Sequence, residues 1–126
     1  MKKIEFQKAD NNFTLIIFGA SGSLAKLKLF PAIYELYKEK RTPTHFNIIG
    51  FGRTEMTDEQ FKIHFQKSLK ERIRDLDLEA VESLKEHIYY VSGDYNNQKD
   101  FEKLLKCTEQ HEKAKYSVRM TYFSVP

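Results

Sequence analysis

The sequence predicts an α/β fold: a Rossmann-like, doubly wound parallel sheet, partial, with about four strands in the order 3-2-1-4 and helices on both faces. Short unbroken apolar runs alternate along the chain with segments of helical periodicity. Strands buried on both faces of a parallel sheet give such runs, and the intervening helices form right-handed crossovers. A turn of small residues follows the first run, where this fold class places its phosphate-binding loop.

The first predicted strand covers residues 15–18, and the polar residues 1–13 before it are expected to form a loose lead-in to a domain spanning 14–126. From Gly22 to about Glu39 the apolar spacing predicts a helix. Pro31 lacks a backbone N–H and should kink this helix or disturb its hydrogen bonding. One apolar side is predicted to carry Leu24, Leu27, Tyr34 and Tyr37, with Leu29, Ile33 and Leu36 beside them.

The rest of the chain continues the alternation. Residues 46–51 form a second apolar run, and the capping-box pattern of Thr57 and Gln60 opens a second long helix. A short helix at 78–86, a third strand at 88–92, a turn at 93–97 and a fourth strand at 116–125 follow. The predicted apolar positions are Phe61, Phe65, Leu69, Ile73 and Leu76 on the second helix, and Phe101, Leu104 and Leu105 on a third, before the last strand.

Composition narrows the possible functions. The 126 residues suit one domain, and a net charge of +3 with mixed signs does not indicate a nucleic-acid-binding face. Cys107 is the single cysteine, which excludes an internal disulfide and multi-thiolate metal clusters. We find no metal-ligand spacing, no signal-peptide pattern and no apolar run of membrane-spanning length, so the cytoplasm is the expected location.

The turn Gly19-Ala20-Ser21-Gly22-Ser23-Leu24-Ala25 follows the first strand directly and opens the first helix. Gly19 permits a tight turn, Gly22 lets the backbone approach a pyrophosphate, and Ala25 allows the helix to pack closely on the strand. Backbone N–H groups and the positive end of the helix dipole would then face the anion. This pattern predicts a dinucleotide-binding loop, and a tight turn without a ligand is the alternative.

Cationic side chains occupy two places where phosphates would bind. Lys26 and Lys28 lie near the helix start and oppose its dipole, an effect that a bound phosphate would reverse and that solvent would screen. At the end of the second strand stand Arg53 and Thr54, and the first carboxylate there is Glu55. An acidic residue at this tip marks NAD, whereas an arginine accommodates the 2′-phosphate of NADP. The tip therefore favours NADP, with a solvated loop arginine as the alternative.

Four segments, in this order and spacing, resemble the glucose-6-phosphate dehydrogenase family. They are residues 19–31, with the pattern Gly-Ala-Ser-Gly-x-Leu-Ala-x-x-Lys-Leu-x-Pro, the second-strand ending with Arg53, residues 90–95, and residues 120–126. The resemblance covers nearly the whole chain, from Leu15 to Pro126. It implies an oxidoreductase that moves a hydride from glucose 6-phosphate to NADP and yields the lactone, the first step of the pentose phosphate pathway.

The same resemblance implies roles for individual residues. Lys28 matches the family lysine that reaches the active site between the cofactor and the sugar phosphate. Arg53 matches the arginine of the 2′-phosphate, Asp94 and Tyr95 match a stretch near the cofactor, and residues 124–126 match the strand end beside the nucleotide. Together with loop residues 19–25, these are the predicted site residues.

The chain also departs from the family pattern. Ser23 stands where the family usually has an acidic residue, and Leu27 where a basic residue is common, so cofactor affinity could differ from the family norm. The histidines match none of the family motifs and are expected on solvated or partly buried surfaces; they are His45, His64, His87 and His111.

The family's catalytic histidine pair and its sugar-phosphate lysines belong to segments that this sequence does not contain. The chain alone is therefore expected not to catalyse the complete reaction, and glucose 6-phosphate and any homo-oligomer are partners of the intact enzyme. Two alternatives stay open. One is a short NADP-dependent reductase or epimerase, which needs a Tyr-x-x-x-Lys pair after the fourth strand, and the other is a stable, non-catalytic NADP-binding module.

Overall fold

The computed structural model describes residues 12–112 and 118–123 and confirms the predicted architecture. Four parallel strands form one sheet in the order β3-β2-β1-β4, with helices on both faces. The strands are β1 Phe13–Phe18, β2 Phe46–Gly52, β3 Ile88–Ser92 and β4 Val118–Phe123. The helices are α1 Phe30–Lys38, preceded by a π-helical turn Ala25–Leu29, then α2 Asp58–Arg72, α3 Leu78–Lys85 and α4 Gln98–His111.

The central strand β1 pairs along its whole length with both neighbours. Its last residue, Phe18, lies opposite Phe51 of β2 and Phe123 of β4. Because all strands run in the same direction, their carboxyl ends form one edge of the sheet. The strand order reverses between β1 and β4, which is where doubly wound sheets bind their ligands.

The sheet separates two cores of unequal size. On the side of α1, α2 and α3, the larger core includes Ile17 of β1 and Phe61 of α2. The smaller core, on the side of α4, contains Ile16, Phe18, Ile49, Phe51, Val91 and Leu104. Successive β1 residues enter opposite cores, as the pleat of a strand buried on both faces requires.

The first helix buries Ile33 and Tyr34 and packs Leu29 and Tyr37 against the core as predicted, but part of its predicted apolar surface is exposed. In the π-helical turn the N–H of Phe30 donates to the carbonyl of Ala25, and Pro31 follows in the first turn of α1. The predicted disturbance near Pro31 is therefore confirmed. The wider turn also rotates the helix relative to a regular 3.6-residue repeat. As a result Phe30, Ile33 and Tyr34 are buried, whereas three residues predicted on the apolar sides are exposed: Leu24, Leu27 and Leu36.

The other helices follow the prediction to different degrees. The capping box of α2 is confirmed, since Thr57 Oγ1 accepts from the N–H of Gln60 at 3.1 Å and Gln60 Oε1 accepts from the N–H of Thr57 at 2.9 Å. On α2 and after it, Phe61, Phe65 and Leu69 are buried, with Ile73 and Leu76 packed against them. On α4 the prediction holds for Leu104 alone, because this helix packs chiefly on β2 and β3 and leaves Phe101 and Leu105 exposed.

The fourth strand covers residues 118–123 of the predicted 116–125. Residues 116, 117, 124 and 125 lie outside the described residues, as do residues 1–11 of the predicted lead-in. In the ranges that the structure describes, every helix is too short or too polar to cross a membrane.

Candidate functional site

The turn after β1 has the backbone that its glycines predict. Gly19 has φ of 79°, in the left-handed region that favours glycine. The N–H groups of Gly19 and Ala20 both donate to the carbonyl of Phe51, at 2.9 and 3.2 Å, and Gly22 donates to the carbonyl of Gly19 at 3.0 Å. A Cβ on Gly22 would lie 3.3 Å from that same carbonyl. The turn is thus fixed to β2 and leads straight into the helix.

Gly52, at the end of β2, lies under this turn. A Cβ at Gly52 would come within 2.6 Å of Ser21 Oγ and 2.9 Å of Tyr90 Oη, so a side chain at this position would force one of these residues to move. The Tyr90 hydroxyl donates to the carbonyl of Thr54 at 2.6 Å. Burial raises the pKa of the Tyr90 phenol, and a hydrogen bond with Ser21 opposes that rise. Tyr90, which the sequence analysis did not assign to the site, therefore connects the turn, the end of β2 and β3.

Arg53 and Asp94 lie side by side just beyond the ends of β2 and β3. The N–H of Gly93 donates to the carbonyl of Gly52 at 2.8 Å, which aligns the two chain segments. The Arg53 guanidinium lies 3.9 Å from Asp94 Oδ2, and the two side chains are 74% and 43% exposed. A pair of predicted cofactor-binding residues is therefore also an ion pair at the edge of the sheet.

Aromatic rings fill the carboxyl end of the sheet on the α4 side. Phe18 stacks on Phe123 with ring centroids 4.8 Å apart and contacts Phe51 and Phe101 at 5.6 and 5.9 Å. Tyr95 meets the same Phe18 ring edge-on at 6.5 Å. This aromatic cluster lies beside the reversal of strand order. The sequence predicted Tyr95 for the site, but gave no role to Phe18 beyond its place in an apolar run.

The remaining predicted site residues lie along the start of the helix. Ala25 is buried beneath the turn, as its role in close packing requires, whereas Ser23, Leu24 and Lys28 are exposed. Lys26 lies 4.0 Å from the Glu71 carboxylate. The structure therefore brings the turn, Arg53, Asp94 and Tyr95 to one edge. Residues 124–126 lie outside the described residues.

Other reactive groups are in ordinary structural surroundings. His45 is exposed and the other three histidines are half-buried, as expected. His87 stacks on Phe46 and His111 on Tyr89, with centroids 4.0 and 3.6 Å apart. Burial raises the pKa of the Cys107 thiol to about 11, so it stays protonated at neutral pH. The described part of the chain holds no group of three or more His, Cys, Asp or Glu side chains that could bind a metal ion.

Sequence comparison assigns most of the chain to one domain type. Residues 16–126 match the family described as "Glucose-6-phosphate dehydrogenase, NAD binding domain". The chloroplastic glucose-6-phosphate 1-dehydrogenase of Nicotiana tabacum is 39% identical over 94% of this chain and 20% of its own length. Glucose-6-phosphate 1-dehydrogenase 6, cytoplasmic, of Arabidopsis thaliana is 34% identical over 90% of this chain and 23% of its own. The chain thus spans about a fifth of the length of these curated relatives.

Solved structures agree with the fold. A glucose-6-phosphate dehydrogenase in complex with its substrate glucose-6-phosphate has a TM-score of 0.81 and 29% identity, over 95% of this chain and 25% of that chain. Glucose-6-phosphate 1-dehydrogenase from Mycobacterium avium has a TM-score of 0.77 at 24% identity, over 90% of this chain and 24% of that chain, which is a likeness of fold.

Proposed function

Because this chain belongs to the glucose-6-phosphate dehydrogenase family and matches its NAD-binding domain, we propose that it binds NADP along the carboxyl edge of its sheet. The observation that carries the proposal is the junction between the Gly19–Gly22 turn and the end of β2. Positive φ at Gly19 and the absence of a Cβ at Gly22 leave room for a pyrophosphate against the backbone, and the absence of a Cβ at Gly52 lets Ser21 of the turn approach the end of β2. The residues present therefore fit a dinucleotide.

The preference for NADP over NAD is proposed from the tip of β2. Arg53 directly follows the strand, and its guanidinium is mostly exposed to solvent at the edge. A planar guanidinium can bind a phosphate through two parallel hydrogen bonds. Asp94 and Tyr95, on the neighbouring loop, would lie beside the adenosine half of the cofactor.

We propose that the complete reaction belongs to the family's full-length protein, where NADP would supply the hydride acceptor for the oxidation of glucose 6-phosphate to 6-phosphogluconolactone. In that setting the exposed Lys28 would reach between the cofactor and the sugar phosphate. The names of the relatives include both cytoplasmic and chloroplastic enzymes, and the cytoplasm is our proposed location for this chain. A homo-oligomer is proposed only for the full-length protein.

Calorimetric titration of the chain with NADP and with NAD tests the proposal. We expect NADP to bind more tightly than NAD, and Gly22→Val to abolish binding while circular dichroism stays unchanged, because the branched side chain occupies the space of the pyrophosphate. Ala32→Val, which adds the same branched side chain at an exposed position of α1 outside the predicted site, is the matched control and should bind like the wild type. Undiminished binding by Gly22→Val would show that the turn is only structural, and equal wild-type affinities would contradict the NADP preference.

A further inference from the structure

We propose that Asp94 sets the cofactor preference of this site by competing with the 2′-phosphate of NADP for Arg53. The inference rests on the proposed function and assigns the Asp94 carboxylate an opposing part in it. In this view Asp94 makes the site more tolerant of NAD than the arginine at the tip of β2 alone would.

The first step is that the two charges lie on the segments that directly follow two neighbouring strands, whose last residues, Gly52 and Ser92, are paired. Arg53 follows the last residue of β2, Asp94 is the second residue after β3, and the Gly93-to-Gly52 hydrogen bond of 2.8 Å keeps the segments aligned. The guanidinium-to-carboxylate distance of 3.9 Å is that of an ion pair. An approaching 2′-phosphate would therefore meet an arginine that already has an anionic neighbour.

The second step is that the loop holds Asp94 independently of Arg53. Its Oδ1 accepts a hydrogen bond from the N–H of Asn96 at 2.9 Å, and its own N–H donates to Asp100 Oδ2 at 2.9 Å. The carboxylate thus stays in place when Arg53, whose side chain is 74% exposed, swings away. A phosphate that takes the guanidinium must then remain close to a fixed negative charge.

The third step concerns the two cofactors. The 2′-phosphate of NADP must draw Arg53 from Asp94 and is repelled by the remaining carboxylate. The 2′-hydroxyl of NAD carries no charge, and a carboxylate at this place can accept a hydrogen bond from it. Doubly wound folds that select NAD place such an acid at the tip of β2. Here β2 ends in Arg53, and the acid comes instead from the loop after β3.

Asp94→Asn in the full chain tests the inference by calorimetry with two pairs of probes, NADP against NAD and adenosine 2′,5′-bisphosphate against AMP. We expect the affinity for the two 2′-phosphorylated probes to rise about three- to tenfold, since an exposed ion pair and a repulsion across solvent are removed. The affinity for NAD and AMP should stay constant or fall. Asp94→Ser, whose hydroxyl can still accept a hydrogen bond from the N–H of Asn96, should change the affinities in the same direction as Asp94→Asn. Agreement between the two variants would show that the change does not come from a disrupted loop.

Two controls separate the possible causes. Glu55→Gln removes an equal charge two residues from Arg53 while leaving the Arg53–Asp94 pair intact, so it should change the affinities less than twofold. In an Arg53→Ala background most of the gain from Asp94→Asn should vanish, because Asp94 acts largely through the arginine.

The outcomes are distinct. If the wild type prefers NADP but Asp94→Asn and Asp94→Ser change the cofactor affinities no more than Glu55→Gln does, the competition by Asp94 is refuted and the proposed function stands. If the wild type and its variants bind none of the four probes, the proposed function fails and this inference fails with it.

Discussion

The Tyr90 hydroxyl donates a 2.6 Å hydrogen bond to the backbone carbonyl of Thr54, and so fixes the chain just beyond Arg53. Tyr90 lies on β3, and its aromatic ring stacks on Phe61 of α2 with centroids 4.8 Å apart. The end of β2 is therefore held by a buried residue of the neighbouring strand. This support gives the Arg53 backbone a defined position, from which an exposed side chain can recognise a ligand.

We expect Gly52→Ala to damage this arrangement. The added methyl group would fall 2.6 Å from Ser21 Oγ and 2.9 Å from Tyr90 Oη, so the Gly19–Gly22 turn or the tyrosine must move. Overpacking of this kind costs about 1–3 kcal/mol of unfolding free energy. NADP affinity should also fall by about tenfold or more, because small misplacements of binding groups are costly. Chemical denaturation and calorimetry measure the two effects.

Thr54→Ala is the control for Gly52→Ala, because it changes an exposed side chain and keeps the carbonyl that Tyr90 binds. It should leave stability within about 0.5 kcal/mol of the wild type. Wild-type stability and affinity in Gly52→Ala would show that the turn and the strand end are looser than the structure indicates.

Arg53→Ala should remove most of the preference for NADP. A hydrogen-bonded charged contact to phosphate is worth about 1.5–3 kcal/mol, which corresponds to a loss of about 10- to 150-fold in NADP affinity. NAD affinity should change little, because NAD lacks the 2′-phosphate. Arg53→Lys keeps the charge without the planar fork and should give an intermediate loss. An equal loss for both cofactors in calorimetry would assign Arg53 a general rather than a 2′-phosphate role.

The two edges of the sheet differ in their protection. On the outer edge of β3, Asp58 Oδ1 accepts the N–H of Tyr90 at 2.7 Å, which blocks that position for another strand. At the opposite edge all six residues of β4 are exposed, among them Val118, Met120, Tyr122 and Phe123. An exposed apolar edge strand is a template for pairing with a second chain. We therefore expect the chain to self-associate through β4 as its concentration rises.

Thr121→Pro should reduce this association. The N–H of Val118 donates to Asn12, beside β1, so alternation along the strand directs the N–H of Thr121 outwards. A proline there removes a donor for intermolecular pairing and keeps the bonds to β1. Tyr122→Pro, which removes a bond to β1, is the contrasting variant and should lower the melting temperature. Light scattering that shows a concentration-independent monomer for the wild type would contradict the expectation.

Glu112 should make stability depend on pH in the acid range. Its carboxylate accepts two hydrogen bonds from the Arg119 guanidinium, at 2.9 and 2.8 Å, and this pairing lowers its pKa below the ordinary value of 4.5. A depressed pKa adds stability that is fully present above the unfolded-state pKa and is lost as pH falls through the folded-state value. Because Arg119 is partly exposed, the contribution is about 1 kcal/mol.

Thermal melts of the wild type and Glu112→Gln between pH 7 and pH 3 test this dependence. The wild type should be the more stable protein near neutral pH, and the difference should shrink as the solution is acidified. Glu102→Gln, on the exposed side of α4, removes an equal charge while leaving the Glu112–Arg119 pair intact and is the comparison variant. A gap between wild type and Glu112→Gln that is constant over this range would refute the coupling.

The sequence predicted the strand order and most boundaries because parallel strands buried on both faces leave continuous apolar runs. The capping box of Thr57 and Gln60 could also be predicted, because its hydrogen bonds join residues only three positions apart. The buried side of the first helix was predicted in part: Ile33 and Tyr34 are buried as expected, but Leu24, Leu27 and Leu36 are exposed. The expectation assumed 3.6 residues per turn, and the π-helical turn before Pro31 breaks that period. The exposure of Phe101 and Leu105 depends on how few strands α4 covers, a tertiary property that no local pattern contains.

The candidate site divides in the same way. Gly19, Gly22 and Arg53 were recognisable because each fills a place defined relative to a strand end. Two contacts could not be predicted from the sequence: the hydrogen bond of Tyr90 to Thr54, 36 positions away, and the ion pair of Arg53 with Asp94, 41 positions away. Both depend on the register in which β2 and β3 pair. The cofactor-binding roles of all the predicted site residues stay predictions, which applies to loop residues 19–25 as much as to Lys28, Arg53, Asp94 and Tyr95.

The unequal cores should give the two sides of the carboxyl edge of the sheet different dynamics. Within the described residues, fifteen buried side chains form the larger core and six form the smaller one against α4. Local opening requires less free energy where fewer apolar contacts must break, so amide hydrogens should exchange faster in α4 than in α2. The Asp94 loop runs directly into α4, whereas the Gly19 turn rests on the larger core. The side of the edge next to α4 should therefore open locally more often than the side of the Gly19 turn.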